Sequence, residues 1–176
     1  MNDDAAALQL ILVRHAQAED AVVFAASGQP DSLRPLLPEG MRRTRQAAKG
    51  LVRVLDAVDG VLSSPYTRAR QTAEILAKAL GKRAVDETEY LVPESDPWRQ
   101  VDWLRDNGFT GVVMLVGHEP NLSALASCLL TGDGRLALDF RKGAVCRIDM
   151  NDAVAPGHGT LRWFLTQSQL RKLRER

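Results

Sequence analysis

The chain has 176 residues, of which 45% are hydrophobic and 26% are charged, the proportions of a globular protein long enough to bury one substantial core. Its formal net charge of +1 excludes the strongly basic surface that binds nucleic acid or acidic membranes through bulk charge. Two widely spaced cysteines, Cys128 and Cys146, exclude a CxxC metal site and a disulfide framework.

The N-terminal sequence and the lengths of the apolar runs bear on location. Met1–Asp4 is acidic, whereas a secretory signal begins with a basic region. No apolar run approaches the roughly 20 residues needed to cross a bilayer. These features predict a cytoplasmic protein with no membrane or nucleic-acid partner.

The first third of the chain reads as a strand, a loop and a helix. Ala7–Val13 is apolar at nearly every position, as expected of a strand covered on both faces. A polar stretch rich in Gly, Pro, Asp and Ser follows over Gln17–Leu37 and predicts a loop. Pro38 suits the first turn of a helix, and apolar residues at helical spacing predict its buried face: Ala47, Ala48, Leu51, Val52 and Leu55.

Strands and helices continue to alternate in the middle of the chain. The predicted elements are a strand at Val61, a helix over Tyr66–Leu80 ended by Gly81, a weaker strand over 83–88, a helix from Pro97 capped by Asp96 and stopped by Gly108, a strand over Val112–Val116, and a helix opened by Pro120. This alternation is typical of a parallel sheet with helices on its faces.

The last third changes character. Gly143–Met150 and Thr160–Thr166 predict two strands joined by a Gly/Pro-rich connection, which form a hairpin at one end of the sheet. Gln167–Arg176 predicts a basic, helical tail. With no repeat or linker to divide it, the chain is expected to form a single domain over residues 1–176. The fold class is α/β, a three-layer α/β/α sandwich with a mostly parallel central sheet.

Polar clusters stand where three of the apolar runs end. Because parallel strands bring their carboxyl ends to one edge of a sheet, clusters far apart in sequence are expected to meet in one crevice there. Two His and two Arg in one pocket suit an anionic phosphate. The clusters are Arg14-His15, Ser63-Ser64-Pro65-Tyr66-Thr67-Arg68 and Gly117-His118.

The chemistry of these residue types fits phosphoryl transfer. A neutral imidazole attacks phosphorus competently when its other nitrogen is held by a hydrogen bond, which makes His15 a candidate nucleophile. The neighbouring Arg14 would neutralise phosphate oxygens. Arg68 lies in the first turn of its helix, where an Arg is easier to explain if it faces an anion. Pro120 is expected to start a helix whose free N–H groups point back at His118 and the pocket.

Taken together, the three motifs resemble those of the histidine phosphatase superfamily. That family carries an RHG or RHA motif, an S-x-x-x-R-A-x-x-T-A segment and a GH dipeptide, and the resemblance extends along nearly the whole chain. The short chain, the RHA variant and the segment Asp31–Leu36 make it look like the SixA-type phosphohistidine phosphatases in particular. The matching residues are Arg14-His15-Ala16, the segment from Ser64 to Ala73, and Gly117-His118.

The resemblance implies roles for individual residues. It makes His15 the nucleophile that becomes phosphorylated, with Arg14, Arg68 and His118 clamping the phosphoryl oxygens. Arg34 is implied as a substrate-binding residue at the entrance, and neither a metal nor an organic cofactor is implied. The expected partner is a phosphorylated protein, such as a phosphotransfer domain or a sugar-transport phosphocarrier, or else a small phosphate ester.

The proton donor for the leaving group is left open by the sequence. Larger superfamily members place an acidic residue in the middle segment, where this chain has Glu89, Glu94 and Asp96. A clear acid there would favour a small-molecule phosphomonoesterase, because an alkoxide needs protonation. The absence of an acid would favour phosphohistidine. A third alternative is a non-catalytic phosphoprotein-binding module that holds phosphate without cleaving it.

Overall fold

A computed structural model describes residues 7–82 and 84–174. One six-stranded sheet in the order β3-β2-β4-β1-β5-β6 forms its centre. Neighbours β3, β2, β4 and β1 pair in parallel, whereas β5 is antiparallel to both β1 and β6. The strands are β1 (Leu8–Arg14), β2 (Gly60–Ser63), β3 (Asp86–Glu87), β4 (Gly111–Gly117), β5 (Val145–Met150) and β6 (Gly159–Leu165).

Helices cover both faces of this sheet. One apolar cluster packs α4 and α5 against one face, and a second packs α2, α3 and α6 against the other. The fold is therefore the three-layer α/β arrangement that the alternating pattern predicts. The helices are α1 (Ala21–Ala25), α2 (Pro38–Leu51), α3 (Thr67–Ala79), α4 (Pro97–Asp106), α5 (Asn121–Thr131) and α6 (Gln167–Leu173).

Strand β1 lies in the interior of the sheet between β4 and β5. Its side chains alternate between the two cores, with Leu10 and Leu12 in one cluster and Ile11 and Val13 in the other. Because side chains of a strand point alternately to opposite faces, a strand with helices on both sides is expected to be apolar on both faces. This explains the apolar run from Leu10 to Val13 that precedes Arg14.

Most predicted elements are confirmed, and four details differ. Helix α2 ends at Leu51, so Val52 and Leu55 lie beyond the helix whose buried face they were predicted to share, and Val52 is exposed. The predicted loop over Gln17–Leu37 contains the short helix α1, whose N-cap Asp20 accepts hydrogen bonds from the amides of Val22 and Val23. The predicted strand over 83–88 shortens to Asp86–Glu87, and its first residue, Arg83, lies outside the described residues. In the predicted tail, α6 ends at Leu173, and residues 175–176 lie outside the described part.

No helix in the described residues is long and apolar enough to cross a membrane.

The parallel strands bring the three motifs to one edge. The His15 amide donates to the Gly117 carbonyl at 3.0 Å, and the Ser64 amide donates to the Val116 carbonyl at 2.9 Å. The residues that follow β1, β2 and β4 are therefore held next to each other by backbone hydrogen bonds. On the other side of β1, the Arg14 amide donates to Ala144 O at 3.1 Å, which brings the segment before β5 to the same edge.

Candidate active site

His15 stands at the carboxyl end of β1 with its imidazole 6% exposed. Its Nδ1 lies 2.8 Å from the Ala16 carbonyl oxygen. A carbonyl oxygen only accepts hydrogen bonds, so Nδ1 carries the proton and Nε2 keeps a free lone pair in the neutral ring. The backbone thus fixes the tautomer that a nucleophile at Nε2 requires.

The surroundings of His15 also keep its ring uncharged. Burial lowers the pKa of His15 to about 3, with a further lowering from the positive charges of Arg68, Arg14 and Lys142. Since burial penalises the charged form and nearby cations repel it, the neutral imidazole dominates throughout the physiological pH range. The same charges that would attract a phosphate therefore keep the nucleophile ready to attack.

His118 faces His15, with 5.0 Å between the ring centroids. Its Nε2 lies 2.9 Å from the Ser64 hydroxyl oxygen, which in turn accepts a hydrogen bond from the Tyr66 amide. If the hydroxyl donates to Nε2, the proton of the neutral ring lies on Nδ1, which has no hydrogen-bond partner. Burial lowers the pKa of His118 to about 2, so this ring also stays neutral and offers a single N–H donor.

Arg68 enters from the first turn of α3 and is 4% exposed. Its Nη1 donates to the Asp31 carbonyl oxygen at 2.9 Å and lies 3.0 Å from the Asp31 carboxylate. The guanidinium carbon sits 4.9 Å from the centre of the Tyr66 ring. These contacts hold one side of the guanidinium, while its buried Nε has no hydrogen-bond partner.

Arg14 is held in a similar way from the opposite side. Its Nη1 donates to the Phe140 carbonyl oxygen at 2.7 Å, and its buried Nε has no hydrogen-bond partner. Unpartnered buried donors are rare because each costs free energy. Among the described residues, three of the four unpartnered buried side-chain atoms belong to Arg14, Arg68 and His118. A tetrahedral oxyanion beside His15 would supply acceptors to all three.

Arg34 lies in the wall of the same cavity, as expected, and is tied into the site through Asp31. Its Nε lies 2.6 Å from the Asp31 carboxylate, and its Nη1 donates to the Glu19 carbonyl oxygen at 2.7 Å. Asp31 therefore bridges Arg34 and Arg68. This bridge holds two guanidinium groups of like charge side by side.

A cavity of about 490 Å³ joins these groups, and its lining includes Arg14, His15, Arg34, Arg68 and His118. The structure thus brings all five predicted site residues together. The lining also contains charged residues that the sequence analysis did not single out: Glu19, Asp20, Glu119 and Lys142.

The expectation that α5 points free N–H groups at the cavity is wrong for the amides of Leu122 and Ser123. The helix begins at Asn121, one residue after Pro120. The Leu122 amide donates to the His118 carbonyl oxygen, and the Ser123 amide donates to the Glu119 carboxylate at 3.0 Å. Because these first amides already have acceptors in the chain, they do not point at the cavity as free donors.

None of the three acidic residues considered as proton donors lines the His15 cavity. Glu89, Glu94 and Asp96 line a different cavity, which shares no residue with the one around His15. Asp96 is the N-cap of α4, and Glu94 accepts a hydrogen bond from the Tyr66 hydroxyl at 3.4 Å. In the described residues, no group of three or more His, Cys, Asp or Glu is arranged to hold a metal ion.

Comparisons with known proteins agree with this geometry. The family model of the histidine phosphatase superfamily (branch 1) matches residues 10–92. An uncharacterized protein of Picosynechococcus is 30% identical, with 92% of this chain and 96% of that protein covered. The phosphohistidine phosphatase SixA of Escherichia coli is 27% identical, with 93% and 97% covered. A solved structure of the protein histidine phosphatase SixA with tungstate superimposes with a TM-score of 0.76 at 25% identity, covering 92% and 99%.

The chain belongs to the histidine phosphatase superfamily. Membership supports a phosphatase-type hydrolase. The superfamily motifs found in the sequence are those that the structure gathers around the cavity. The roles of the individual residues remain predictions that the geometry supports.

Several site residues were missed, for different reasons. Asp31 stands three residues before Arg34, a spacing that could have signalled an ion pair. Ser64 opens the S-x-x-x-R motif of the superfamily, yet no role followed from the motif alone. Glu119 follows His118 in the chain, so its place beside the site could have been predicted. Lys142 lies there because the segment before β5 reaches this edge of the sheet, and no pattern in the sequence indicates that.

Ser64 is expected to act through His118, and Ser63 is its matched control. The two serines are adjacent and fully buried, but the Ser63 hydroxyl donates to the Ser64 carbonyl oxygen and does not contact His118. Ser64→Ala should lower kcat/KM for an aryl phosphate about tenfold, because the His118 ring loses the partner that fixes its proton on Nδ1. Ser63→Ala should retain activity near that of the wild type. Equal kinetics for the two variants would contradict this role.

The buried neutral state of His15 predicts how stability depends on pH. The folded pKa of about 3 lies below the ordinary value of 6.5, so the unfolded chain binds a proton that the folded chain excludes. Destabilisation should begin as the pH falls below about 6.5 and be complete near pH 3. Between neutral pH and about pH 5, the wild type should lose roughly 2 kcal/mol of unfolding free energy that the His15→Gln variant does not lose.

Urea unfolding at a series of pH values measures this difference. The buffer contains no phosphate, because a bound anion would favour the protonated ring. The control is His158→Gln, since His158 is exposed in the loop between β5 and β6. The plot of its unfolding free energy against pH should run parallel to that of the wild type. If the His15→Gln curve is also parallel, the inferred neutral state of His15 is wrong.

Proposed function

We propose that this protein is a metal-independent phosphatase that works through a phosphorylated His15 and removes the phosphoryl group from phosphohistidine on a protein. One observation carries the proposal. The free Nε2 of His15 shares a cavity with Arg14, Arg68 and His118, whose buried donors lack partners. This arrangement suits in-line attack on a phosphorus atom whose oxygens those donors bind.

In the first step, the Nε2 lone pair of His15 forms a bond to phosphorus. The other nitrogen of the substrate imidazole takes a proton from solvent, the bond from phosphorus to the leaving nitrogen breaks, and its electron pair stays on the imidazole, which leaves neutral. Arg14, Arg68 and the Nδ1–H of His118 stabilise the charge on the three equatorial oxygens. The Nδ1–H of His15 keeps its proton and donates a hydrogen bond to the Ala16 carbonyl oxygen, which stabilises the positive charge that develops on this ring.

In the second step, water attacks the phosphorus of the phosphoenzyme. The bond from phosphorus to His15 Nε2 breaks, its electron pair returns to the ring, and inorganic phosphate leaves. The ring regains the neutral tautomer fixed by the Ala16 carbonyl. No step requires a metal ion or an organic cofactor.

The placement of the acidic residues supports a phosphorus–nitrogen substrate. An alkoxide leaving group needs a general acid, which typically contributes about 10²- to 10⁴-fold in rate. An imidazole can take its proton from water on its other nitrogen and leave as a neutral molecule. Glu89, Glu94 and Asp96 do not line the cavity. Of the acidic residues that do, Glu119 has both carboxylate oxygens engaged by Ser123 and Asp20 caps α1, which leaves Glu19.

Similarity to SixA adds support from a different direction. That relative is named a phosphohistidine phosphatase, and the solved SixA structure holds tungstate, a tetrahedral oxyanion like phosphate. The similarity covers more than nine-tenths of both chains. We therefore infer the same class of substrate for this chain.

A substrate panel tests the proposal. The substrates are a histidine phosphotransfer domain phosphorylated on histidine, a phosphorylated sugar-transport phosphocarrier, and sugar and amino-acid phosphate esters. We expect kcat/KM to be highest for a phosphohistidine protein and unchanged by a metal chelator. Preference for an ester would overturn the substrate class, and loss of activity to the chelator would overturn the mechanism.

Glu19→Gln separates the esterase alternative further, because Glu19 is another acidic residue in the lining of the His15 cavity. The variant should retain wild-type kcat/KM for phosphohistidine. A large loss confined to ester substrates would identify Glu19 as their proton donor and favour the phosphomonoesterase.

A further inference from the structure

The most exposed large apolar side chains of the described residues are concentrated in one short segment. Val22 is 82% exposed, Val23 is 71% exposed and Leu33 is 52% exposed, whereas the next in rank, Trp98, is 44% exposed. We call Val22, Val23 and Leu33 the rim patch. Single exposed apolar residues are ordinary, but a group of them at one place marks a surface that binds another molecule.

The segment that carries the rim patch has a defined conformation. Helix α1 has its N-cap in Asp20, and the Ser27 hydroxyl closes its end by donating to the Phe24 carbonyl oxygen. The two ends of the segment are joined where the Glu19 amide donates to the Pro35 carbonyl oxygen. None of the residues of α1 is buried, so its apolar sequence, Ala-Val-Val-Phe-Ala, contributes little to the core of this chain.

The rim patch is continuous with the wall of the His15 cavity. Gln17, Ala18, Glu19, Asp20 and Ala21 all line that cavity, and Val22 and Val23 follow directly. On the other side, Leu33 is followed by Arg34, which also lines the cavity. A molecule that covers the rim patch therefore lies at the cavity itself.

We propose that the rim patch is the docking surface for the protein that carries the phosphohistidine. This inference rests on the proposed function. A phosphoryl group on the surface of a folded domain reaches His15 only if the surrounding surface of that domain comes against the rim of the cavity. A small phosphate ester would fit inside a space of about 490 Å³ whose lining does not include Val22, Val23 or Leu33.

The chemistry of the partner follows from that of the rim patch. Binding is stabilised when aliphatic side chains are removed from water by packing against other apolar side chains. The partner is therefore a folded domain that presents apolar side chains beside its phosphorylated histidine. Arg34 and the other cavity cations bind the phosphoryl group, while the rim patch binds its carrier.

A double variant, Val22→Asp with Val23→Asp, tests the proposal because both side chains are exposed and neither belongs to the catalytic machinery. The probes are a phosphorylated histidine phosphotransfer domain, a phosphorylated phosphocarrier and an aryl phosphate. We expect kcat/KM for the better phosphoprotein to fall roughly tenfold or more, mainly through KM, with aryl phosphate turnover unchanged. The matched control, Leu161→Asp, changes a 41% exposed residue on β6 and should alter neither activity.

The outcomes separate the two proposals. If the wild type does not dephosphorylate either phosphoprotein, the proposed function fails and the docking surface fails with it. If the wild type is active and the double variant matches it on both phosphoproteins, only the docking surface is overturned. Sedimentation of both proteins checks a second copy as the occupant: a wild-type dimer that becomes a monomer in the double variant would overturn docking of the carrier.

Discussion

Replacing His15 with alanine is expected to lower kcat/KM for an aryl phosphate by roughly 10³-fold or more. The variant removes the atom that forms the bond to phosphorus, and in the proposed mechanism His118, the other histidine that lines the cavity, presents an N–H rather than a lone pair. The fold should survive, because the one hydrogen bond found for this side chain goes to the Ala16 carbonyl oxygen next to it in the chain. Steady-state kinetics and thermal unfolding measure the two effects separately.

The control is His158→Ala, which changes an exposed histidine in the loop between β5 and β6. It should have wild-type activity. If His15→Ala keeps substantial turnover while remaining folded, His15 is not the nucleophile. If the wild type binds phosphoprotein but releases no phosphate from any substrate, the protein is the non-catalytic binding module instead.

Arg68→Ala is expected to have the second largest effect, a fall in kcat/KM of about 10²- to 10³-fold. Loss of one preorganised donor to a developing oxyanion typically costs this much. The partner that Arg68 leaves behind, Asp31, still holds Arg34, so the change is confined to one cation of the cavity. Kinetics with an aryl phosphate, together with the inhibition constant of inorganic phosphate, measure the loss.

Arg70 provides a matched control on the same helix. It lies two residues from Arg68, is exposed, and pairs with Glu74 and Glu87 at the surface. Arg70→Ala should change kcat/KM less than about threefold, since exposed ion pairs contribute little. If Arg68→Ala and Arg70→Ala behave alike, the cation of Arg68 does not act on the phosphoryl group.

The sequence predicts the framework well because the framework follows from periodicity. A strand that is apolar at nearly every position is expected to be covered on both faces, and β1 is. The ends of such strands meet at one edge, so Arg14, Arg68 and His118 could be placed together before any coordinates. The motifs of the superfamily then identified His15 among the chain's three histidines.

Side-chain partners could not be predicted in the same way. The bridge that Asp31 forms between Arg34 and Arg68 depends on how the segment before α2 folds back over the cavity. The sequence predicts a loop where α1 lies, because a helix of five residues with no buried face shows no helical pattern of polar and apolar residues. Pro120 correctly marks the start of α5, but the sequence does not show that the Glu119 carboxylate accepts a hydrogen bond from the Ser123 amide, so that this amide is not free to bind an anion.

Rapid quenching of the wild-type reaction, followed by peptide mass mapping under alkaline conditions that preserve phosphohistidine, tests the central claim most directly. We expect one phosphoryl group to accumulate transiently on the peptide that contains His15, and none on that peptide in His15→Ala. A wild-type reaction that releases phosphate with no phosphorylated peptide at any time, or with the phosphoryl group on another residue, would contradict the account.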